Sequence, residues 1–256
     1  MDAVILGNGP LGRAIADAFA ERGWRARRLG RPVTGWHDPA DLATAGIVVE
    51  ASRGDAVAAN LESALDAGVR RFVIATTAWE ADRARVARLL ETLGGAAVAA
   101  PNLSLGMVLF GRLVDAAVAL LGPLATFDPY LVEWHRRGKA DRPSGTARNL
   151  AGRIVAAHPR LARVAEGPTG ASDPGTLEVV GIRAGANPGS HLVGFDAPGE
   201  AIELRHVARD RTAYAAGALA AADWLLAAPR APGLHPFETV VDDLLASPQE
   251  AAMTAR

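Results

Sequence analysis

Short apolar runs alternate with amphipathic stretches through the first hundred residues. Ala3-Val4-Ile5-Leu6 is continuously apolar, as a strand buried on both faces must be. Leu11, Ile15, Ala18 and Phe19 then repeat at helical spacing, and residues 24–29 read as a second strand. The alternation continues through 46–51 (strand), 55–67 (helix), 69–75 (strand), 80–93 (helix) and 96–100 (strand). This pattern predicts an α/β fold with a Rossmann-like, doubly wound parallel sheet. Ligands in such sheets bind beyond the carboxyl ends of the strands. The loops there are Glu50-Ala51-Ser52-Arg53, Ala75-Thr76-Thr77-Ala78-Trp79 and Pro101-Asn102-Leu103-Ser104. Ser52, Ala75, Thr76, Thr77, Pro101 and Asn102 are therefore candidate cofactor contacts, although Thr76 and Thr77 also suit a plain strand end.

The patterning changes near residue 102. A helix over 105–121 leads into a strand that runs through residue 135. Pro143-Ser144-Gly145-Thr146 then opens a helix whose apolar stripe is Ala147, Leu150, Ile154, Val155 and Ala157. After a Gly/Pro/Ser-rich loop over 167–175, the segments 176–184, 191–196 and 200–208 read as consecutive antiparallel strands. An alanine-rich helix follows over 212–226, with a short final one over 242–245. The expectation is an inserted α+β substrate domain with a mostly antiparallel sheet. The divisions fall at 1–103 (dinucleotide binding), 104–211 (substrate binding and oligomerisation) and 212–256 (helices returning to the first domain).

Gly7-Asn8-Gly9-Pro10-Leu11-Gly12 sits between the first strand and the first helix. Gly7 permits the tight turn, Gly9 lets a pyrophosphate approach the backbone, and Gly12 allows close helix–strand packing. With Pro10 and Leu11 these residues predict a dinucleotide cradle. An acidic residue about 20 positions further on would select NAD through the ribose hydroxyl. That region instead carries Arg25, Arg27, Arg28 and Arg31, with no carboxylate before Asp38. Arginine forks match a 2′-phosphate, so NADPH is favoured over NADH, with Arg28 and Arg31 as its candidate contacts. A solvated edge strand is the other explanation of these arginines.

Residues 133–147 hold the densest chemistry: Glu-Trp-His-Arg-Arg-Gly-Lys-Ala-Asp-Arg-Pro-Ser-Gly-Thr-Ala. His135 and Lys139 lie four apart in what reads as an extended segment. The next helix points free N–H groups and a partial positive charge back at them. A lysine beside a bare helix N-terminus suits a carboxylate or phosphate, and a histidine there can supply a proton. Ordinary capping by Ser144 or Thr146 is the competing reading. Glu133 alternates onto the face of His135, to orient it or to pair with Arg137.

Composition narrows the function. The chain has no cysteine, which excludes disulfides, thiolate metal sites and cysteine nucleophiles. A net charge of −1 without a Lys/Arg block argues against nucleic acid as the main partner. No apolar run reaches the length of a bilayer span, so no membrane partner is expected. No basic stretch followed by an apolar one opens the chain, so a cytoplasmic location without a secretory signal is expected. Lys139 is the one lysine beside 26 arginines (27 basic residues less one), consistent with a need for its compact ammonium. His37, His158 and His235 are scattered without metal-ligand spacing, and no metal is expected. His191 and His206 each suit a satisfied structural histidine, and Trp224, in register with Leu219 and Ala220, a core residue.

Residues 133–147 resemble the Glu-x-His-His-x-x-Lys-x-Asp-x-Pro-Ser-Gly-Thr-Ala signature of the 4-hydroxy-tetrahydrodipicolinate reductase (dihydrodipicolinate reductase) family. The resemblance extends to Thr76-Thr77, 101–106, Arg183-x-Gly185, Gly189-x-His191, Glu203-x-x-His206, Arg211, Tyr214, Gly217-Ala218 and Trp224-Leu225. It implies a reductase of lysine and diaminopimelate biosynthesis, acting on a cyclic imine dicarboxylate with NADPH or NADH. It also implies His135 as general acid, Lys139 as substrate ligand, and Ser144, Gly145 and Thr146 around one substrate carboxylate. Gly7, Gly9 and Gly12 would cradle the pyrophosphate and Thr76 and Thr77 would lie near the nicotinamide. Such enzymes are usually homotetramers joined through the sheets of their substrate domains.

Four departures from the family pattern stand out. Arg136 replaces the second histidine, and can hold a carboxylate but not donate a proton. The glycine loop is one residue shorter and lacks its basic residue, Gly138 replaces a bulkier neighbour, and the acidic residue after the second strand is missing. Arg136 and the short loop favour, as an alternative, a divergent paralogue reducing another cyclic imine or keto-carboxylate. A non-catalytic NADPH-binding sensor is the second alternative, and the intact His135, Lys139 and Ser-Gly-Thr count against it.

Overall fold

The computed structural model describes residues 1–32, 37–167 and 173–246. It divides into two compact units, Met1–Leu105 with Arg211–Arg256, and Gly106–Asp210.

The first unit is a six-stranded sheet in the order β11-β5-β4-β3-β1-β2, parallel at every pairing. Its strands are β1 (Asp2–Leu6), β2 (Arg25–Leu29), β3 (Ile47–Glu50), β4 (Arg71–Ile74), β5 (Ala96–Ala99) and β11 (Gly233–Pro236). The doubly wound parallel sheet expected from the alternation is what forms. Ile5, Val49 and Val73 are fully buried, as central strands covered on both faces require. Burial of each such side chain contributes about 1.5–3 kcal/mol. The helices are α1 (Pro10–Glu21), α2 (Pro39–Leu42), α3 (Val57–Asp66), α4 (Arg83–Leu93), α7 (Thr212–Ala227) and α8 (Phe237–Ala246). Short 3₁₀ turns precede α3 and α4, so these helices begin later than the hydrophobic pattern alone suggests. Alanines and Gly217 on α7 allow close approach: a Cβ on Gly217 would stand 1.6 Å from the Leu103 carbonyl oxygen.

The second unit has a five-stranded sheet ordered β10-β9-β6-β8-β7. Its strands are β6 (Asp128–His135), β7 (Arg163–Glu166), β8 (Thr176–Arg183), β9 (Gly189–Ala197) and β10 (Glu200–Ala208). Here the expectation of consecutive antiparallel strands is corrected. Strand β8 runs parallel to β6 and β7, and β6 lies between β8 and β9. The β9–β10 hairpin pairs consecutive strands antiparallel, while β7 and β8, also consecutive, pair in parallel. Strand alternation reports which face a residue takes but not which strand lies beside it. Helices α5 (Leu105–Leu121) and α6 (Gly145–Ala157) supply Phe110, Val114, Leu150 and Ile154 to one core with Leu131, Val179, Val193 and Phe195. The opposite sheet face leaves Trp134, Ile182 and Val207 exposed. Most of the 167–175 loop lies outside the described residues. No helix among the described residues is long and apolar enough to cross a membrane.

Candidate active site

The glycine turn fits a dinucleotide by elimination of side chains. Gly7 has φ of +131°, a conformation that disfavours any Cβ, and donates its N–H to the Leu29 carbonyl oxygen. A Cβ on Gly12 would lie 2.2 Å from the Gly7 carbonyl oxygen, so only glycine lets α1 start this close to β1. Gly9 N-caps α1 without a side chain and faces open space. Helix α1 has no acidic residue in its first turn. This leaves an uncompensated helix N-terminus suited to a pyrophosphate. Arg13, just past the loop, donates to the Asn8 carbonyl oxygen at 3.2 Å and sets a cation where the loop itself has none.

A cleft of about 570 Å³ opens there. Gly9, Pro10, Leu11, Ser52, Ala75, Thr76 and Thr77 line it, as do Arg53 and Ala78 of the same loops, Arg211 of the family resemblance, and Gly54 and Asp55, which the sequence did not single out. Gly7 and Gly12 are not among the residues that line it. Arg211 follows the other lining residues by more than a hundred positions, and only the family resemblance, not hydrophobic pattern or local spacing, pointed to it. Arg28 and Arg31 are exposed and do not line the cleft. Arg25 is paired with Asp2 at 2.6 Å and Arg27 with Asp41 at 3.7 Å. Pro101 and Asn102 do not line the cleft either: the Asn102 side chain accepts from the Ser104 N–H at 2.9 Å ahead of α5.

Glu50 ends β3 beneath this cleft, fully buried. It accepts hydrogen bonds from the Ser52 N–H (2.8 Å), the Ser52 hydroxyl, the Asn60 amide (2.7 Å) and the Thr76 hydroxyl (3.2 Å). Burial pushes its carboxyl up, and these hydrogen bonds partly offset the rise. Glu50→Ala is expected to strand these buried donors and to cost about 3 kcal/mol. Urea unfolding reads this as a lower midpoint at unchanged slope, and an unchanged midpoint would contradict it.

In the second unit the signature folds around Glu133. Alternation along β6 puts Glu133 and His135 on one face, buried at 0% and 7% exposure. Register places His191 of β9 opposite Glu133 and Arg183 of β8 opposite His135. Glu133 Oε1 accepts from the Ser144 N–H at 2.9 Å and from Arg183 Nη2 at 2.6 Å. Its Oε2 lies 3.3 Å from His135 Nδ1 and 3.8 Å from His191 Nε2. The partner of Glu133 is thus Arg183, not Arg137, whose backbone N–H bonds the Gly185 carbonyl oxygen. Arg183 and His191 matter here because of strand pairing, which no local spacing reveals.

Lys139 is not in an extended segment. Strand β6 ends at His135, and Lys139 follows a turn closed by its N–H on the Arg136 carbonyl oxygen at 3.1 Å. Its ammonium sits 2.7 Å from Asp141 Oδ1. Burial raises the Asp141 carboxyl, but Lys139 and the Gly145 backbone more than reverse this and hold it below the usual range. A carboxylate already occupies the lysine and the start of α6, which shows that this corner suits that group. Ser144 is the N-cap of α6, its hydroxyl accepting from the Ala147 N–H at 3.2 Å and lying 3.4 Å from His191 Nε2. Capping and proximity to the cluster therefore coexist at Ser144. Gly145 is exposed, Thr146 half-buried and Arg136 exposed over Gly138.

The electrostatics of the cluster are lopsided. Burial raises the Glu133 carboxyl, yet the facing His135 ring and the hydrogen bonds from Ser144 and Arg183 prevail and hold it well below the carboxylate range. Burial, then the charge of His135, holds His191 down to about 4. A histidine kept neutral when folded stabilises the fold fully above its unfolded pKa of about 6.5 and loses that contribution as pH falls towards about 4. The loss at His191 is expected to be about 3 kcal/mol. Unfolding measured at neutral and at acidic pH reads it directly, and His191→Gln should flatten the dependence. Glu133, His135 and His191 also offer donor atoms within 4.8 Å of one another. Arg183, however, already neutralises the carboxylate at 2.6 Å, which disfavours a cation there.

The model of the dihydrodipicolinate reductase C-terminus matches residues 106–241, more than half of the chain. The chain belongs to the dihydrodipicolinate reductase family. Curated members include the 4-hydroxy-tetrahydrodipicolinate reductase of Thiobacillus denitrificans, 37% identical over 208 residues that cover 79% of this chain and 75% of the relative. That of Halorhodospira halophila is 36% identical over 219 residues, covering 83% and 79%. A dipicolinate-bound dihydrodipicolinate reductase from Paenisporosarcina sp. TG-14 superposes with a TM-score of 0.69 at 20% identity, over 92% of this chain and 97% of that one. The likeness in structure supports the fold. As a member of the dihydrodipicolinate reductase family the chain is a nicotinamide-dependent oxidoreductase, as the signature implied.

Proposed function

We propose that this chain reduces 4-hydroxy-tetrahydrodipicolinate to tetrahydrodipicolinate, a step of lysine and diaminopimelate biosynthesis, with NADPH favoured over NADH. The observation that carries this reading is the corner where Lys139 and the start of α6 hold a carboxylate, next to buried His135. The curated relatives bear the name of this reaction.

The first unit is assigned to the dinucleotide. Gly7, Gly9, Pro10, Leu11 and Gly12 would hold its pyrophosphate, Ser52, Ala75, Thr76 and Thr77 its nicotinamide half, and Arg28 and Arg31 a 2′-phosphate. Pro101 and Asn102 remain candidates as the loop after β5. When bound, the nicotinamide supplies the hydride. The second unit is assigned to substrate and to assembly as a homotetramer, in the cytoplasm.

A dicarboxylate needs fixed positive partners. Lys139 gives an ammonium, and Ser144, Gly145 and Thr146 give a helix N-terminus and hydroxyls, with Arg136 free to reach a second carboxylate. Hydride addition leaves excess electron density on the substrate ring, and His135 delivers the compensating proton. Arg136 in place of a histidine favours the alternative of a related cyclic imine or keto-carboxylate as substrate. The test is NADPH or NADH consumption that begins only when dihydrodipicolinate synthase forms the substrate in the same cuvette.

A further inference from the structure

His135 is buried, and one edge of its ring is already spoken for. Its Nδ1 lies 3.3 Å from Glu133 Oε2, within ion-pair distance, and both of these buried atoms are without a hydrogen-bond partner. The other carboxylate oxygen, Oε1, is occupied by the Ser144 N–H and by Arg183 Nη2. Arg183 also donates to the Asp141 carbonyl oxygen, which ties it to the turn carrying Lys139. The second ring nitrogen, Nε2, lies next to Gly189, where a Cβ would approach to 3.1 Å. The neighbouring imidazole of His191 is 5.3 Å away, centroid to centroid, and is held neutral by burial.

We propose that Glu133 is a positioning residue for His135, its Oε2 holding the Nδ1–H so that Nε2 is the atom that exchanges the proton with substrate. The inference rests on His135 being the acid. Charged His135 has both nitrogens protonated. The Nε2–H bond breaks, its electron pair stays on Nε2, and the proton moves to the substrate ring that has accepted the hydride. Nδ1 keeps its proton throughout, facing the carboxylate. Glu133 acts here as the carboxylate does that orients a catalytic imidazole and stabilises its charged form. Arg183 and the Ser144 N–H fix the carboxylate itself, because with Oε1 taken only Oε2 remains to face the ring.

The isosteric change Glu133→Gln tests this. Its carbonyl oxygen is required by Ser144 and Arg183, so its NH₂ must face His135 Nδ1. The imidazole then has to accept there, which moves the proton of the neutral ring to Nε2 and disfavours the charged form. Nitrogen NMR of the ¹⁵N-labelled full chain, with His135 assigned by comparison with His135→Gln, reads which ring nitrogen is protonated. The expected result is Nδ1–H in the wild type and Nε2–H in Glu133→Gln, with kcat lowered about 100-fold and the KM for NADPH unchanged. A neutral His135 bearing its proton on Nε2 in the wild type would overturn the proposal, whether or not Glu133→Gln folds. Unaltered tautomer and kcat in a folded Glu133→Gln would overturn it too. If the wild type does not reduce the cyclic imine, the named reaction fails, and the wild-type tautomer still decides the role of Glu133.

Discussion

His135→Gln is expected to lower kcat by about 100-fold or more while leaving NADPH binding intact. The argument is chemical. Position 135 is the last residue of β6, only 7% exposed, with Glu133 on one ring edge. A glutamine fills similar space and forms hydrogen bonds, but it has no proton to give near neutral pH. Cofactor affinity should survive because the glycine turn and the cleft at Ser52 and Thr76 belong to the other unit. Steady-state kinetics and fluorescence titration with NADPH separate the two quantities. A sensor protein would show no change in either, so a fully active His135→Gln would remove His135 from the chemistry.

Lys139→Ala carries the second large effect, a loss of about 100-fold in kcat/KM dominated by KM for the dicarboxylate. Removing one member of a charged contact costs about 2–5 kcal/mol when the other is left desolvated, and 2.7 kcal/mol corresponds to about 100-fold. Lys139 is half-buried and already paired with Asp141 at 2.7 Å, so the variant also strands Asp141 at the start of α6. An unpaired Asp141 would repel an incoming carboxylate, which adds to the loss. Lys139→Arg keeps the charge but not the compact ammonium, and recovery should be partial. Steady-state kinetics over a range of substrate concentration read the split, and an unchanged KM in Lys139→Ala would contradict a carboxylate at this corner.

The fold was legible wherever pattern and local geometry coincide. Buried runs such as Ala3–Leu6 and the glycine turn after them leave little freedom, and Leu105–Leu121 forms the helix its periodicity predicts. Strand β11 was not legible, because Gly-Leu-His-Pro offers a single apolar side chain to a sheet whose neighbour β5 is distant in sequence. The order of the second sheet was hidden for the same reason, since nothing local says that β6 separates β8 from β9. At the candidate site, His135 and Glu133 share a face by alternation, which is readable. Their contact with Arg183 and His191 depends on register between strands about 50 residues apart or more in sequence, which is not. The Lys139 turn was legible in Gly138, which directly precedes the lysine, yet the alternation of β6 up to His135 gives no sign that the strand ends there.

The central claim is that the carboxylate corner and the buried acid serve one cyclic dicarboxylate. It is tested most directly by adding the purified chain and NADPH to substrate formed by dihydrodipicolinate synthase, following nicotinamide absorbance and identifying the product by mass spectrometry. The account predicts rapid oxidation with tetrahydrodipicolinate as product, and its loss in Lys139→Ala. Saturable NADPH binding without oxidation, or with a different product, would contradict it.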